Sequence, residues 1–231
     1  MKRAILVFIA IIHLTACATA PLTQSKYVEG ATTPYETAIV IDQPFDQVWD
    51  KLVSELSQRF YVINNINKES RLLNVSYTIN KNGNPENYVD CGRQSIFFNL
   101  ANRPETFEFA VAESSIYKWT SGVAYDQHTF YDSVVRNPSL VGRANVYVAP
   151  GKDGNETKMS VNVVYTFTVS EKRQSVNYNA FSGKFFDYGF PTTKSGTPIT
   201  FFSNKEGFDE TGVVRCFPTG KFEADILSIF E

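Results

Sequence analysis

Between residues 158 and 169 the chain alternates almost without a break. Val161, Val163, Tyr165, Phe167 and Val169 fall on one side, with Asn162, Val164, Thr166 and Thr168 on the other. Only extended backbone sends every second side chain to the same face, so this stretch must be a strand with one face buried. Residues 106–111 repeat the pattern, with Phe107, Phe109 and Val111 against Thr106, Glu108 and Ala110. So do residues 72–78, where Leu73, Val75 and Tyr77 alternate with Asn74 and Ser76. Nineteen Phe and twelve Tyr add to the preference for strands. Further strands are expected at 36–41, 61–66, 115–121, 129–135 and 142–148, and near 198–202. The run Gly151-Lys152-Asp153-Gly154-Asn155 is a hairpin signal between the strands at 142–148 and 158–169.

Two segments have the helical period instead. Phe45, Val48, Trp49, Leu52, Val53, Leu56 and Phe60 form one stripe, and Gln47, Lys51, Glu55 and Arg59 lie off it. Pro44 stands near the first turn, where its missing N–H costs nothing. At the other end, Phe222, Ile226, Leu227 and Phe230 form a shorter stripe that Thr219 or Gly220 can cap. Strand, helix, a run of antiparallel strands and a closing helix imply an α+β domain with its helices on one face of the sheet. Residues 174–212 mix aromatics with many Gly, Ser, Thr and Pro, and irregular structure is expected there. The aromatics between 178 and 208 suit a lid over an apolar cavity, a docking patch or ordinary core, and their spacing does not choose among these.

Composition excludes some functions. A chain of 231 residues that is 43% apolar and 20% charged buries a real core, and its net charge of −2 leaves no nucleic-acid footprint. The sequence contains no G-x-S-x-G, phosphate-binding Gly loop, H-E-x-x-H or C-x-x-C. Only His13 and His128 are present, so neither a metal site nor a cofactor is expected. His128 could act as a general base beside Asp126 or Asp132, but a surface histidine at a strand edge is the simpler reading. The acid pairs Asp153/Glu156 and Asp209/Glu210 sit in Gly-containing turns, where carboxylates are ordinarily just solvated.

The beginning of the chain is the most specific feature. Lys2 and Arg3 precede a mostly apolar run at residues 4–16, which is shorter than the roughly 20 residues needed to cross a bilayer as a helix. A basic start and a short apolar run describe a secretory signal. The run ends in Leu14-Thr15-Ala16-Cys17, which resembles the lipobox of bacterial lipoproteins. That resemblance implies lipid on Cys17 and removal of residues 1–16. The mature chain then has 215 residues, and loss of Lys2 and Arg3 takes its charge to −4. Ala18 follows the cysteine where an inner-membrane lipoprotein would resemble the Asp pattern, so the outer membrane is expected, with the domain facing the periplasm. Residues 18–34 are small and polar and read as a flexible tether reaching about 22 Å. With Cys17 lipidated, Cys91 and Cys216 remain in an oxidising compartment, as a disulfide or as two separate buried thiols.

A second resemblance covers residues 36–78. A strand, then Pro44-Phe45-Asp46-Gln47-Val48-Trp49-Asp50, then Tyr61-Val62-Ile63 and Lys68-Glu69-Ser70-Arg71-Leu72-Leu73-Asn74-Val75 is similar to the repeat unit of BamC-type lipoproteins. Those are accessory outer-membrane lipoproteins of the β-barrel assembly machinery, built from helix-grip domains. The resemblance implies a helix-grip-like antiparallel sheet with a long N-terminal helix and a C-terminal helix on one face, in a single α+β domain over 35–231. The function it implies is a non-enzymatic accessory or structural subunit of an envelope complex, attached to the membrane through Cys17 and bound to other envelope proteins. The alternative is a periplasmic binder of a hydrophobic small molecule or lipid in a helix-grip cavity.

Overall fold

A computed structural model describes residues 22–59, 61–80, 82–100, 103–123, 128–187 and 190–231. The first half of the chain contributes strands β1 (Leu22–Val28), β2 (Ala38–Ile41), β3 (Val62–Asn67), β4 (Leu72–Ile79), β5 (Val89–Asp90), β6 (Arg93–Leu100), β7 (Arg103–Ala110) and β8 (Ser115–Val123). The second half contributes β9 (His128–Pro150), β10 (Thr157–Asn179), β11 (Lys184–Asp187), β12 (Thr192–Ser195), β13 (Ile199–Phe202), β14 (Gly207–Phe208) and β15 (Arg215–Pro218). Helix α1 (Phe45–Gln58) follows β2, and α2 (Lys221–Leu227) closes the described chain.

Strands β9 and β10 pair over their whole 23-residue length, from Pro150 opposite Thr157 to His128 opposite Asn179, without a shift of register. At about 3.3 Å per residue the ribbon is roughly 75 Å long. The Gly151–Asn155 signal closes it, with the Gly151 N–H donating to the Glu156 carbonyl at 2.6 Å and Gly154 at φ 72°. All other strands of this sheet attach to the ribbon except β3, which pairs with β4. Along β10 lie β2, β13, β12 and β11 in turn, and along β9 lie β4 and then β8.

The cover on the β9 edge changes at Pro138. β4 pairs as far as Leu140, and β8 begins opposite Arg136. Val169, opposite Pro138, turns its carbonyl away from β9 to accept from the Gly196 N–H. In an antiparallel pair two facing residues turn their backbone groups either both toward each other or both away, so the nitrogen of Pro138 points away from β10, into the gap between β4 and β8. A mid-strand proline is tolerated there because no neighbour needs its missing donor.

One face of the ribbon is buried from the Gly151 end as far as Val134, under two different covers. Over the end nearer the Gly151 turn lie Val48, Trp49, Leu52 and Leu56 of α1 and Phe222, Ile226 and Leu227 of α2, packed on Leu140, Ala144, Val146, Val148, Val161, Val163, Tyr165 and Phe167. Gly142 lets the Phe222 ring lie against β9, since a Cβ there would meet it at 3.0 Å. Over the other end lies a second sheet, in the order β1-β6-β7. It closes on β8 and β9 through Phe98, Phe107, Phe109, Tyr117, Trp119 and Val134. Phe98 stacks on Trp119 with ring centres 4.4 Å apart, and Phe109 stacks on Tyr117 at 5.7 Å.

This architecture corrects the expected fold. The described residues form a mostly β structure with two short helices, and the fold is not an α+β helix-grip domain with a long N-terminal helix. The helices lie where their periodicity puts them, but α1 has 14 residues and α2 has 7, and they cover only part of the ribbon. The excess of strand has several sources, among them β6 and, in and beside the segment 174–212 expected to be irregular, β11, β12, β14 and β15. The expected strands at 129–135 and 142–148 are parts of one strand, and 158–169 continues to Asn179. Residues 22–28, placed in the tether by composition, form β1 against β6.

Gly220 introduces α2 at φ 80°, and a Cβ there would lie 2.2 Å from the Tyr35 ring. Gly220→Ala therefore combines left-handed strain with overpacking. The expected loss of stability is about 2–4 kcal/mol, measured by urea unfolding against the wild type.

Candidate functional site

Cys91 and Cys216 are joined as a disulfide, which settles the choice left open by the sequence. Both are buried. The ladder Phe217↔Asp90 and Pro218↔Val89 between β15 and β5 brings their backbones together. The N-terminal part of the fold meets the same point. The Tyr27 hydroxyl donates to the Cys91 and Arg215 carbonyls at 3.2 and 3.1 Å and accepts from the Arg215 N–H at 3.0 Å. Burial raises the Tyr27 phenol above its ordinary pKa, although the Arg215 backbone contact works the other way.

Cys17 and Asp126 lie outside the described residues. His128 supplies backbone to the first rung of β9, opposite Asn179. Asp132 accepts from the Ser175 hydroxyl at 2.5 Å across the ribbon. Asp209 holds a turn, with its Oδ1 accepting from the Val213 and Val214 N–H groups at 2.9 and 3.0 Å and its Oδ2 from Thr211 at 2.7 Å. Partial burial opposes its ionisation, but these hydrogen bonds outweigh it and hold the carboxyl below the usual range. Glu210 accepts from Thr197 at 3.0 Å. Among the described residues, no three His, Cys, Asp or Glu side chains gather as a metal site.

Two buried polar groups escaped the reading of the sequence. Glu223, in the first turn of α2, has no exposed surface. It accepts from Tyr165 at 2.5 Å, Ser203 at 2.7 Å and Tyr35 at 3.2 Å, tying α2 to β10 and to the loops after β1 and β13. Burial pushes the Tyr165 and Tyr35 phenols far up, and the Glu223 charge adds to the effect. An acid on a short amphipathic helix looks like a solvated residue, and only the tertiary fold brings three hydroxyls to it.

Arg136 is the second group. Its Nη2 donates to the Val111 carbonyl at 3.2 Å, its Nε lies 3.6 Å from Glu171, and the guanidinium lies 4.2 Å from the centre of the Phe109 ring. Burial pushes its pKa down, and Glu171 opposes that shift. Nε and Nη1 have no hydrogen-bond partner within the protein. Arg136 also lines a hollow of 280 Å³ together with Phe167, Val169, Ile199 and Val214. The volume is at the lower edge of small-molecule sites. Three acids, Glu171, Asp209 and Glu210, line it too, so it does not select an anion.

The aromatics of 178–208 are divided by the fold. Phe201 is core, stacked on Tyr165 with ring centres 5.3 Å apart. Phe181, Phe185, Phe186 and Phe190 are between 50% and 95% exposed. They crowd the end of the ribbon away from the Gly151 turn. There the β10–β11 hairpin is closed by the Phe181 and Ser182 N–H groups donating to Asn179 Oδ1, and by Gly183 at φ 64°. Lys118 lies over the Tyr131 ring at 4.2 Å and over Phe185 at 5.2 Å. This patch is the candidate functional surface.

Comparison with protein-family models, characterised proteins and solved structures finds no match to the chain.

Two measurements test the interior. The Cys91–Cys216 bridge closes 125 residues of separation, so a double change to Ala is expected to cost about 2–5 kcal/mol. An unchanged urea midpoint would contradict this. Glu171→Ala, which strands the buried Arg136 charge, should cost about 3 kcal/mol, and Arg136→Met together with Glu171→Gln should cost much less. The comparison is read from the same unfolding curves.

Proposed function

We propose that this chain is a bacterial outer-membrane lipoprotein and a non-enzymatic accessory or structural subunit of an envelope complex. On this reading residues 1–16 are removed, Cys17 carries the lipid and the β-rich domain faces the periplasm. One observation carries the proposal: Lys2 and Arg3, a short apolar run and Leu14-Thr15-Ala16-Cys17 occur in the order and at the spacing of a lipoprotein signal. The Cys91–Cys216 disulfide supports export, because such bonds persist in oxidising compartments. Among the described residues no helix is long and apolar enough to cross a membrane. Several acyl chains on one cysteine hold a protein firmly without such a helix.

The use made of its polar groups supports a holding role. Glu223 is spent on three hydroxyls, Asp209 on a turn and Arg136 on the Val111 carbonyl after β7 and on Glu171 of β10. Binding of an apolar ligand in a helix-grip cavity depended on a fold that the protein does not have.

Labelled palmitate supplied to growing cells should enter the wild-type protein and not Cys17→Ser. The variant should also leave the outer-membrane fraction for the soluble periplasmic extract. A palmitate-free wild type would overturn the anchor. Gentle solubilisation of envelopes should recover stoichiometric protein partners, and a partnerless protein would overturn the accessory role.

A further inference from the structure

The N-terminal end of the described chain lies at the aromatic end of the ribbon. Leu22 begins β1 opposite Asn99 of β6. The neighbouring Phe98 stacks on Trp119 of β8, which stands opposite Asp132 and hence Ser175. Ser175 is one residue from Val176, where β11 pairs through Asp187. The start of β1 is therefore level with the Phe185–Phe186 hairpin. Leu22 is five positions after Cys17, and a fully extended chain of that length spans about 18 Å. The acyl chains proposed on Cys17 thus cannot lie far from this end, and they cannot reach the Gly151 turn at the other end of the ribbon.

The distribution of apolar groups identifies what covers them. Phe185 pairs with Tyr178 and lies 6.4 Å from Tyr131, on the face of the ribbon away from the core. Phe186 is the next residue in the strand and projects to the opposite face. Phe181 stands at the turn and is 78% exposed. A protein partner seated on one face would leave half of these rings in water, whereas a lipid interface surrounds all of them. Residues 172–194 also carry Lys172, Arg173, Lys184 and Lys194 against the single acid Asp187, in a chain whose net charge is negative. Lysine and arginine beside exposed phenylalanine match a surface of acyl chains under anionic headgroups.

We infer that this end, formed by Phe181, Lys184, Phe185 and Phe186 with Phe190 beside them, seats in the lipid interface of the leaflet that holds the Cys17 lipid. The ribbon then stands away from the membrane and presents the Gly151 turn to the periplasm. The inference rests on the lipoprotein reading and adds an orientation and a second point of lipid contact.

The test uses full-length lipidated protein in vesicles of phosphatidylethanolamine and phosphatidylglycerol, with or without bromine on the acyl chains. Palmitate labelling of Cys17 is scored first. Phe181→Trp reports on the aromatic end. Val40→Trp, opposite Lys158, reports on a site about 70 Å away along the ribbon. After subtraction of wild-type fluorescence, bromine should lower the Phe181→Trp emission about twofold or more and leave Val40→Trp unchanged. A labelled protein with no quenching at position 181, or with quenching at position 40, overturns the seating and leaves the anchor standing. A protein without label overturns both, because the reach argument goes with the anchor. In cells, a photoreactive phenylalanine at position 181 should give lipid adducts. Protein adducts in their place would assign this end to a protein partner and overturn the inference.

Discussion

The structure depends on one uninterrupted ladder, the 23 rungs between β9 and β10. Most strands in globular proteins stop after five or six residues, because the sheet twists away from its cover. Here a second cover takes over where the first ends. The helices α1 and α2 bury the ribbon as far as Phe167 and Leu140, and the β1-β6-β7 sheet buries it beyond Val134. Pro138 sits at the changeover, where its lack of an N–H costs nothing. Arg136 and Glu171 fill the seam with a charged pair, and the guanidinium lies against Phe109 of the second cover.

The second constraint is the knot of backbone around the disulfide. It gathers the end of β1, the start of β6 and the approach to α2, which are far apart in the chain. Tyr27 bridges Cys91 and Arg215, and Arg215 also pairs with Glu29 at 3.0 Å. Asp90 accepts from the Gly92 and Ala31 N–H groups at 2.8 and 2.9 Å. The β1-β6-β7 sheet is thereby tied to the helical layer at one end, and its other end runs out toward the exposed phenylalanines. A rigid body fixed in this way places Leu22, the first residue of β1, at the end of the ribbon where the phenylalanines are exposed.

Reading the sequence succeeded where apolar residues repeat and failed where polar ones do. The stripe from Phe45 to Leu56 and the alternation from Val161 to Phe167 identify α1 and the lower part of β10, because each buries against a large core. Beyond Val169 the inward positions of β10 become Glu171, Arg173 and Ser175, and the hydrophobic signal disappears while the strand goes on. Glu171 meets Arg136 and Ser175 meets Asp132, so the pairing there is polar and invisible to a count of apolar periods. β1 resembles a tether in sequence for a similar reason. Lys26, Gln24 and Ser25 lie on the edge of a small sheet and show no apolar period. The helix-grip expectation rested on residues 36–78, which do form a strand, a helix and a hairpin, but the rest of the sheet decides the architecture.

The sequence by itself determined the features that depend on neighbours in the chain. These are the basic start and short apolar run before Cys17, the two helical stripes, the Gly151 hairpin and the presence of two further cysteines. Only the tertiary structure decided that Cys91 meets Cys216, that Glu223 is buried among three hydroxyls and that four phenylalanines remain in water at the same end as the first strand. Each of these requires backbone from distant parts of the chain to meet, and the energy that brings it together is spread over the whole ribbon, with no local pattern to record it.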